Sequence, residues 1–296
     1  MILSLVVCTR NRARQLQAAL ASLDALVFDK PWELIIVDNG STDETPEILG
    51  AFAAESQQTV VLEHEPKPGL SKARNRGLSK ARGELVAFTD DDCYPNSDYL
   101  QRLFFCFSGH DVAFAGGRVL LFDEKDLQIT IQELNEGVSF QPGSFFKAGV
   151  VHGANMAFRR SVLLDLRGFD ERLGAGARFK AAEDTDAMIR CSLAGYSGVY
   201  DPTIVVQHHH GRRSTEEADS LRRSYAIGRG ACMVKHALNP VSRSVYAKNW
   251  YWQLRLQKPR ESYRELWSAI RFMILFGLLP SKVSAHPSDS LSLRSS

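Results

Sequence analysis

Three consecutive carboxylates, Asp90, Asp91 and Asp92, end the apolar run Leu85–Thr89, and Pro95 stands just beyond. The run has the length and the β-branched or aromatic content of a buried strand. Carboxylates this close repel one another, and each raises its neighbours' pKa. A divalent cation relieves that repulsion, and hard ions such as Mg2+ and Mn2+ take carboxylate oxygen. In open α/β sheets ligands bind at the C-terminal strand edge. Such a triplet is therefore a candidate site for a cation and a polyanion, although a solvated acidic turn explains an isolated triplet equally well.

Other segments bear similar chemistry. Val6–Cys8 runs into Thr9, Arg10, Asn11 and Arg12, and Ile35–Val37 runs into Asp38, Asn39 and the turn through Asp43. A glycine-rich stretch from Gly174 leads to Glu183, Asp184 and Asp186, and Val205-Val206-Gln207 leads to His208, His209, His210, Arg212 and Arg213. Asp38 is open to a second reading as an Asx turn or helix cap. Arg12 reads as a solvated arginine at a helix start. His209 should face away from His208, and His210 should share its face if the strand continues. Arg212 and Arg213 suit either a diphosphate clamp or a solvated surface.

The elements that must position these groups alternate. Strands are expected at Ile2–Cys8, Glu33–Val37, Val60–His64 and Glu84–Thr89, with helices over Ala13–Leu26, through Phe52 and over Pro68–Ala81. That βαβα order implies a largely parallel sheet with helices on both faces. Beyond it, strands are expected at Val112–Phe122 and His152–Arg159, and two short ones within Gly198–His208 broken at Asp201-Pro202. Helices are expected from Ser161 to near Gly168, over Glu183–Ala194, and from Ser214 almost to Pro280.

Composition fits a globular protein, with 44% hydrophobic and 24% charged residues, and a net charge of +2 makes no general case for nucleic acid. Cys8, Cys93, Cys106, Cys191 and Cys232 form no CxxC pair, which argues against a disulfide framework or structural zinc and for a reducing compartment. The N-terminus reads as a first strand instead of a signal peptide, so a cytoplasmic active domain is expected.

As an ordered set these segments resemble the family 2 inverting glycosyltransferases of GT-A fold. The set comprises Thr9-Arg10-Asn11-Arg12, the Val37–Asp43 segment, Gly69–Gly77, Phe88–Asp92, Gly153–Arg160, Gly168–Glu171 and Glu183-Asp184. The resemblance covers residues 1–213. It implies an α/β fold with a mixed, mainly parallel sheet flanked by helices, followed by a helical C-terminal extension. The expected division is a catalytic domain over 1–213, with a nucleotide-binding half to about 110 and an acceptor half after it, then helices over 214–280 and a disordered tail over 281–296. It also implies transfer of a sugar from a nucleotide-diphosphate donor, most often UDP-linked, to a glycan or lipid-linked acceptor. By the same resemblance Thr9 and Asp38 contact the nucleoside, and Asn11, Arg74 and Asn75 belong to the donor site. Asp90 binds ribose, Asp92 and His208 hold Mn2+ or Mg2+, and Asp91 serves either role or holds the turn. Asp184 is the base and Glu183 its orienter or an acceptor ligand. A helix N-terminus stabilises the negative charge that a base needs. A nucleotidyltransferase on a related sheet, or a catalytically silent glycan-binding relative, are the alternatives. The first lacks its glycine-rich phosphate loop here, and retention of Asp38, Asp92, Asp184 and His208 together argues against the second.

The stretch from Trp250 to Leu279 is the most apolar in the chain and carries Arg255, Lys258, Arg260, Arg264 and Arg271. Its apolar core is shorter than the roughly 20 residues that span a bilayer. An interfacial membrane helix, a helix packed on the domain and a dimer contact all fit this pattern.

Overall fold

Alternation along the strands divides the core in two. In the computed structural model, which describes residues 1–277, β1 (Leu3–Thr9) sends Leu3, Leu5 and Val7 into one apolar cluster and Val6 into another. β2 (Trp32–Asp38) divides Leu34 and Ile36 from Ile35 and Val37 in the same way. Strands covered on both faces read as continuous apolar runs, which is why both were legible in the sequence.

The other strands are β3 (Val60–His64), β4 (Leu85–Asp90), β5 (Cys93–Pro95), β6 (Phe114–Leu121), β7 (Val138–Phe140), β8 (Met156–Arg159) and β9 (Gly198–His208). Among the described residues they form one sheet in the order β3-β2-β1-β4-β8-β6-β9-β5, with β7 paired to β9. The β3-β2-β1-β4 portion is parallel. β8 runs antiparallel to both β4 and β6, and β6 and β9 are parallel to each other. The sheet is therefore mixed, with an unbroken parallel run on one side.

Helices α1 (Leu16–Asp24), α2 (Thr45–Glu55) and α4 (Tyr99–Gly109) contribute to the first cluster, and α3 (Leu70–Lys80), α5 (Arg160–Asp165) and α6 (Glu183–Leu193) to the second. A Cβ on Gly77 would meet Val6 Cγ1 at 2.4 Å, so the missing side chain lets α3 lie close against β1. That approach brings Arg74, one turn earlier, over the strand ends.

Two expectations change. β8 begins at Met156, because His152–Asn155 close a turn through the Asn155 N–H on the His152 carbonyl at 2.9 Å. β9 is a single strand through Pro202, because Asp201–Ile204 lie at the register shift opposite Gly116 and Arg118. A proline there forfeits no ladder hydrogen bond.

The C-terminal helical stretch is three helices, α7 (Thr215–Leu238), α8 (Arg243–Leu256) and α9 (Pro259–Phe276). Ser214 and Glu217 close a reciprocal capping box at the start of α7. A Cβ on Gly230 would lie 2.2 Å from the Glu265 carbonyl oxygen, so α7 and α9 pack at close range. Fully buried Glu265 binds Arg229 at 2.8 Å and Trp250 at 3.1 Å, joining all three helices. The tail expected over 281–296 and the last residues of the apolar stretch, from 278, lie outside the described residues.

Candidate active site

The C-terminal ends of β1, β4 and β9 meet at a cavity of about 580 Å³. Thr9, Arg74, Asp90, Asp91, Asp92, Glu183, Asp184 and His208 all line it. The pairing of β5 with β9 explains the closeness of two of them. Cys93 sits opposite His208, so the preceding Asp92 comes against the imidazole. Asp92 Oδ1 lies 3.3 Å from His208 Nε2, and the Asp92 carbonyl accepts from the His209 N–H at 2.8 Å. On its other side the His208 ring meets Thr130 Oγ1 at 3.2 Å through Nδ1.

Arg12 corrects the solvated reading given to it. Its Nε lies 3.3 Å from Asp91 and its Nη2 3.2 Å from Asp92. Burial pushes the Asp91 carboxyl up to about 6, and Asp92 and Asp90 add to the rise against the pull of Arg12. Asp92 behaves oppositely. Burial would raise it too, but the hydrogen bond and charge of His208, helped by Arg12, hold it below the usual carboxylate range. The same pairing holds His208 above the usual imidazole range, against its own burial.

This donor set fits a divalent cation. Asp92, Cys93 and His208 offer ligand atoms within 4.8 Å of one another. Burial, with the nearby Asp92 charge, raises the Cys93 thiol well above its ordinary range. The Asp92 carboxylate and the His208 imidazole are a pair that suits Mn2+ better than a soft metal.

Behind the triplet, Arg74 is 2% exposed and spans the acids, with Nη1 2.8 Å from Glu183 and Nη2 3.1 Å from Asp90. Its Nη2 also donates to the Gly153 carbonyl at 3.0 Å. The Gly153 N–H in turn donates to Asp184 Oδ2 at 2.9 Å. Ala182 takes φ 73, a left-handed conformation rare for a residue with a Cβ, and it turns the chain sharply into α6. Glu183 is buried against Arg74, and Asp184 is half-buried on the cavity wall. Burial and the Asp184 charge push Glu183 up to about 7, with Arg74 opposing.

Asn11, Asp38 and Asn75 do not line the cavity. Asn11 binds the Thr42 N–H at 2.8 Å, fastening the loop after β1 to the loop after β2. Asp38 accepts from the Ser41 N–H at 3.0 Å and lies 3.0 Å from His64 Nδ1, while its neighbour Asn39 reaches the cavity. Asn75 brackets Phe169, accepting from its N–H at 2.7 Å and donating to its carbonyl at 2.9 Å. His209 turns from the cavity toward the Tyr94 hydroxyl, 3.1 Å away, as alternation requires. Arg212 lines the cavity, whereas Arg213 pairs with Asp123 and Asp126. Sequence reasoning missed His152, which lines the cavity two residues before Ala154 in a segment read as strand. It also missed Leu221, Ser224, Tyr225 and Arg229 on α7 and Gln253 on α8. Nothing in their types distinguishes these from an ordinary helix face.

Comparison with known proteins agrees with this arrangement. The chain is 26% identical over 239 residues to the glycosyltransferase AglE of Haloferax volcanii, spanning 78% of this chain and 73% of that protein. It is 29% identical over 215 residues to the pre-mycofactocin glycosyltransferase of Mycobacterium tuberculosis, of whose length it spans only 42%. The fold matches the Pyrobaculum calidifontis mannosyltransferase PcManGT, solved with GDP-Man and Mn2+, with a TM-score of 0.62 at 20% identity over 93% of this chain and 75% of that one. Residues 4–167, more than half of the chain, match the profile of Glycosyl transferase family 2. Because that match runs through the strands that carry Thr9, Asp38 and the acidic triplet, the protein is a glycosyltransferase and belongs to that family.

Proposed function

We propose that this enzyme is a metal-dependent, inverting transferase that moves a sugar from a nucleotide-diphosphate donor to a hydroxyl of a glycan or lipid-linked acceptor. The observation that carries this reading is the convergence of the Asp92–His208 pair and Asp184 on one cavity at the strand ends. Residues 1–213 form the catalytic domain, and the C-terminal helices add to its cavity wall. Asp92 and His208 would hold the cation, which when bound stabilises charge on the departing diphosphate. Thr9 and Asp90 contact the nucleoside, and Arg74 keeps Asp90 and Glu183 at fixed separation. Asp184 accepts the proton of the acceptor hydroxyl as its oxygen attacks the anomeric carbon. The new C–O bond forms on the face opposite the diphosphate, whose C–O bond breaks with the electron pair leaving on the nucleotide. Glu183 orients this region through Arg74. Asn11, Asp38 and Asn75 act at one remove, by holding the loops that frame the donor site.

Titration calorimetry with UDP, GDP and dTDP, each with and without Mn2+, tests the assignment. We expect metal-dependent binding, UDP being the first candidate, and its loss in Asp92→Ala. His208→Ala should weaken metal dependence less, because carboxylate and diphosphate oxygens remain. Near-wild-type affinity of Asp92→Ala for nucleotide plus Mn2+ overturns the ligand assignment.

The acceptor is reached at the inner face of a membrane, and α8 and α9 provide the contact. No helix among the described residues is long and apolar enough to cross a bilayer. While Ala269 and Phe272 are buried beside α7 residues, Trp252, Trp267 and Ile274 are 54%, 55% and 75% exposed. Each neighbouring Lys or Arg adds about 1 kcal/mol of attraction to anionic lipid. Truncation would remove Glu265 and Phe272 from the core, so the test is Trp252→Ala/Trp267→Ala. This variant should pellet less with anionic vesicles than wild type; equal pelleting rules the surface out.

A further inference from the structure

Part of the cavity wall comes from the C-terminal helices. Leu221, Ser224, Tyr225 and Arg229 of α7 recur at helical spacing along one face, and Gln253 of α8 joins them. Close packing fixes the position of that face. A Cβ on Gly228 would lie 2.4 Å from the Ala181 carbonyl oxygen, so α7 rests on the backbone two residues ahead of Glu183. Tyr225, nearly one turn earlier, is thereby brought beside the catalytic loop. The Asp184 carboxylate, after burial, does most to raise the Tyr225 hydroxyl, which stays a neutral donor at working pH. Arg229 is held by Glu265 at 2.8 Å, whereas Gln253 Oε1 is buried with no hydrogen-bond partner.

Tyr225 is 38% exposed and lines the cavity with a flat ring and a phenolic hydroxyl. Ser224 adds another hydroxyl to the same wall. An aromatic face bordered by convergent polar groups suits a sugar ring, whose C–H face is apolar and whose edge is hydroxyls. We propose that Tyr225 is an acceptor-positioning residue: its ring carries the C–H face of an acceptor sugar and turns the attacking hydroxyl toward Asp184. This rests on the assignment of Asp184 as base made above.

Saturation-transfer NMR on protein loaded with UDP and Mg2+ tests the role. The probes are p-nitrophenyl glycosides of glucose, galactose, mannose and N-acetylglucosamine, followed at sugar-ring protons only. At least one glycoside should be saturated by wild type, with an apparent affinity about tenfold weaker in Tyr225→Ala, the scale of a lost aromatic contact. Tyr225→Leu preserves bulk without the flat ring and should lose as much, while Tyr225→Phe should retain most of the contact. UDP affinity, measured by calorimetry in every variant, reports folding and the donor site separately. UDP binding with no saturated sugar protons, or with equal saturation in wild type and both ring-deleted variants, overturns the role of Tyr225 alone. Absence of binding by UDP, GDP and dTDP alike in wild type instead overturns the donor site.

Discussion

Asp184→Asn is expected to bind donor with near-wild-type affinity and to lose sugar transfer by about 10²–10⁴-fold, the range for removing a positioned general base. An amide fills the same space but cannot take up the acceptor's proton. Asp184 accepts from the Gly153 N–H through Oδ2 and from the Thr185 N–H through Oδ1, and an amide oxygen can keep one of the two. The Gly153 N–H, 2.9 Å from Asp184 Oδ2, can bond an amide oxygen as readily as a carboxylate. Glu183→Gln should act differently, because Glu183 neutralises the buried Arg74 guanidinium at 2.8 Å and its loss disturbs Asp90 as well. Donor affinity should therefore fall in Glu183→Gln along with rate. Single-turnover transfer and donor titration on both variants separate the roles. A mild effect at Asp184 with the large rate loss at Glu183 moves the base by one residue. Retained anomeric configuration in the product sinks the single-base mechanism.

Asp186→Ala should destabilise the fold by about 3 kcal/mol, the lower end of the cost of breaking a buried ion pair. Asp186 is fully buried, with Oδ1 2.7 Å from Lys235 and 2.9 Å from His236 and Oδ2 2.8 Å from Arg190. Removing it strands Arg190, while Lys235 keeps Asp170 at 2.8 Å, which limits the loss. Burial would raise the Asp186 carboxyl, yet Lys235 and Arg190 hold it well below its ordinary 3.8. A carboxylate depressed in the folded state contributes fully above its unfolded pKa and loses that contribution as pH falls. The gap between wild type and variant should thus be full at pH 7 and shrink as pH falls below 3.8 toward the folded-state pKa. Urea unfolding at several pH values measures this, and a pH-independent gap would point to packing instead of charge. Because Asp186 ties α6 to α7, the variant should also loosen the cavity wall that carries Tyr225.

Local chemistry made much of this protein legible without coordinates. The strands β1, β2 and β4 are short, apolar on both faces and followed at once by polar residues. That pattern specifies a buried parallel strand with its functional groups at the C-terminal edge. Thr9, Asp90, Asp91 and Asp92 close β1 and β4 and could therefore be assigned to one sheet edge from chain order, the resemblance added Asp184 at a helix start, and the structure brings all five to the same cavity. Asp186, by contrast, looked like a third acid at a helix start, and Arg12 like a solvated cation. Arg190 is a local partner of Asp186, but its other two lie 49 and 50 residues away and those of Arg12 lie 79 and 80 away, and no local signal encodes such distant pairings. The roles of α7 and α8 were equally hidden, because Tyr225 and Gln253 are ordinary helix-face residues until Gly228 settles on Ala181. Side-chain type and local period decide which element forms and which residues end it, since those depend on neighbours within a few bonds or a single turn. Which helix closes the cavity, and which buried charges balance, depends on contacts between distant segments, and only tertiary packing determines those.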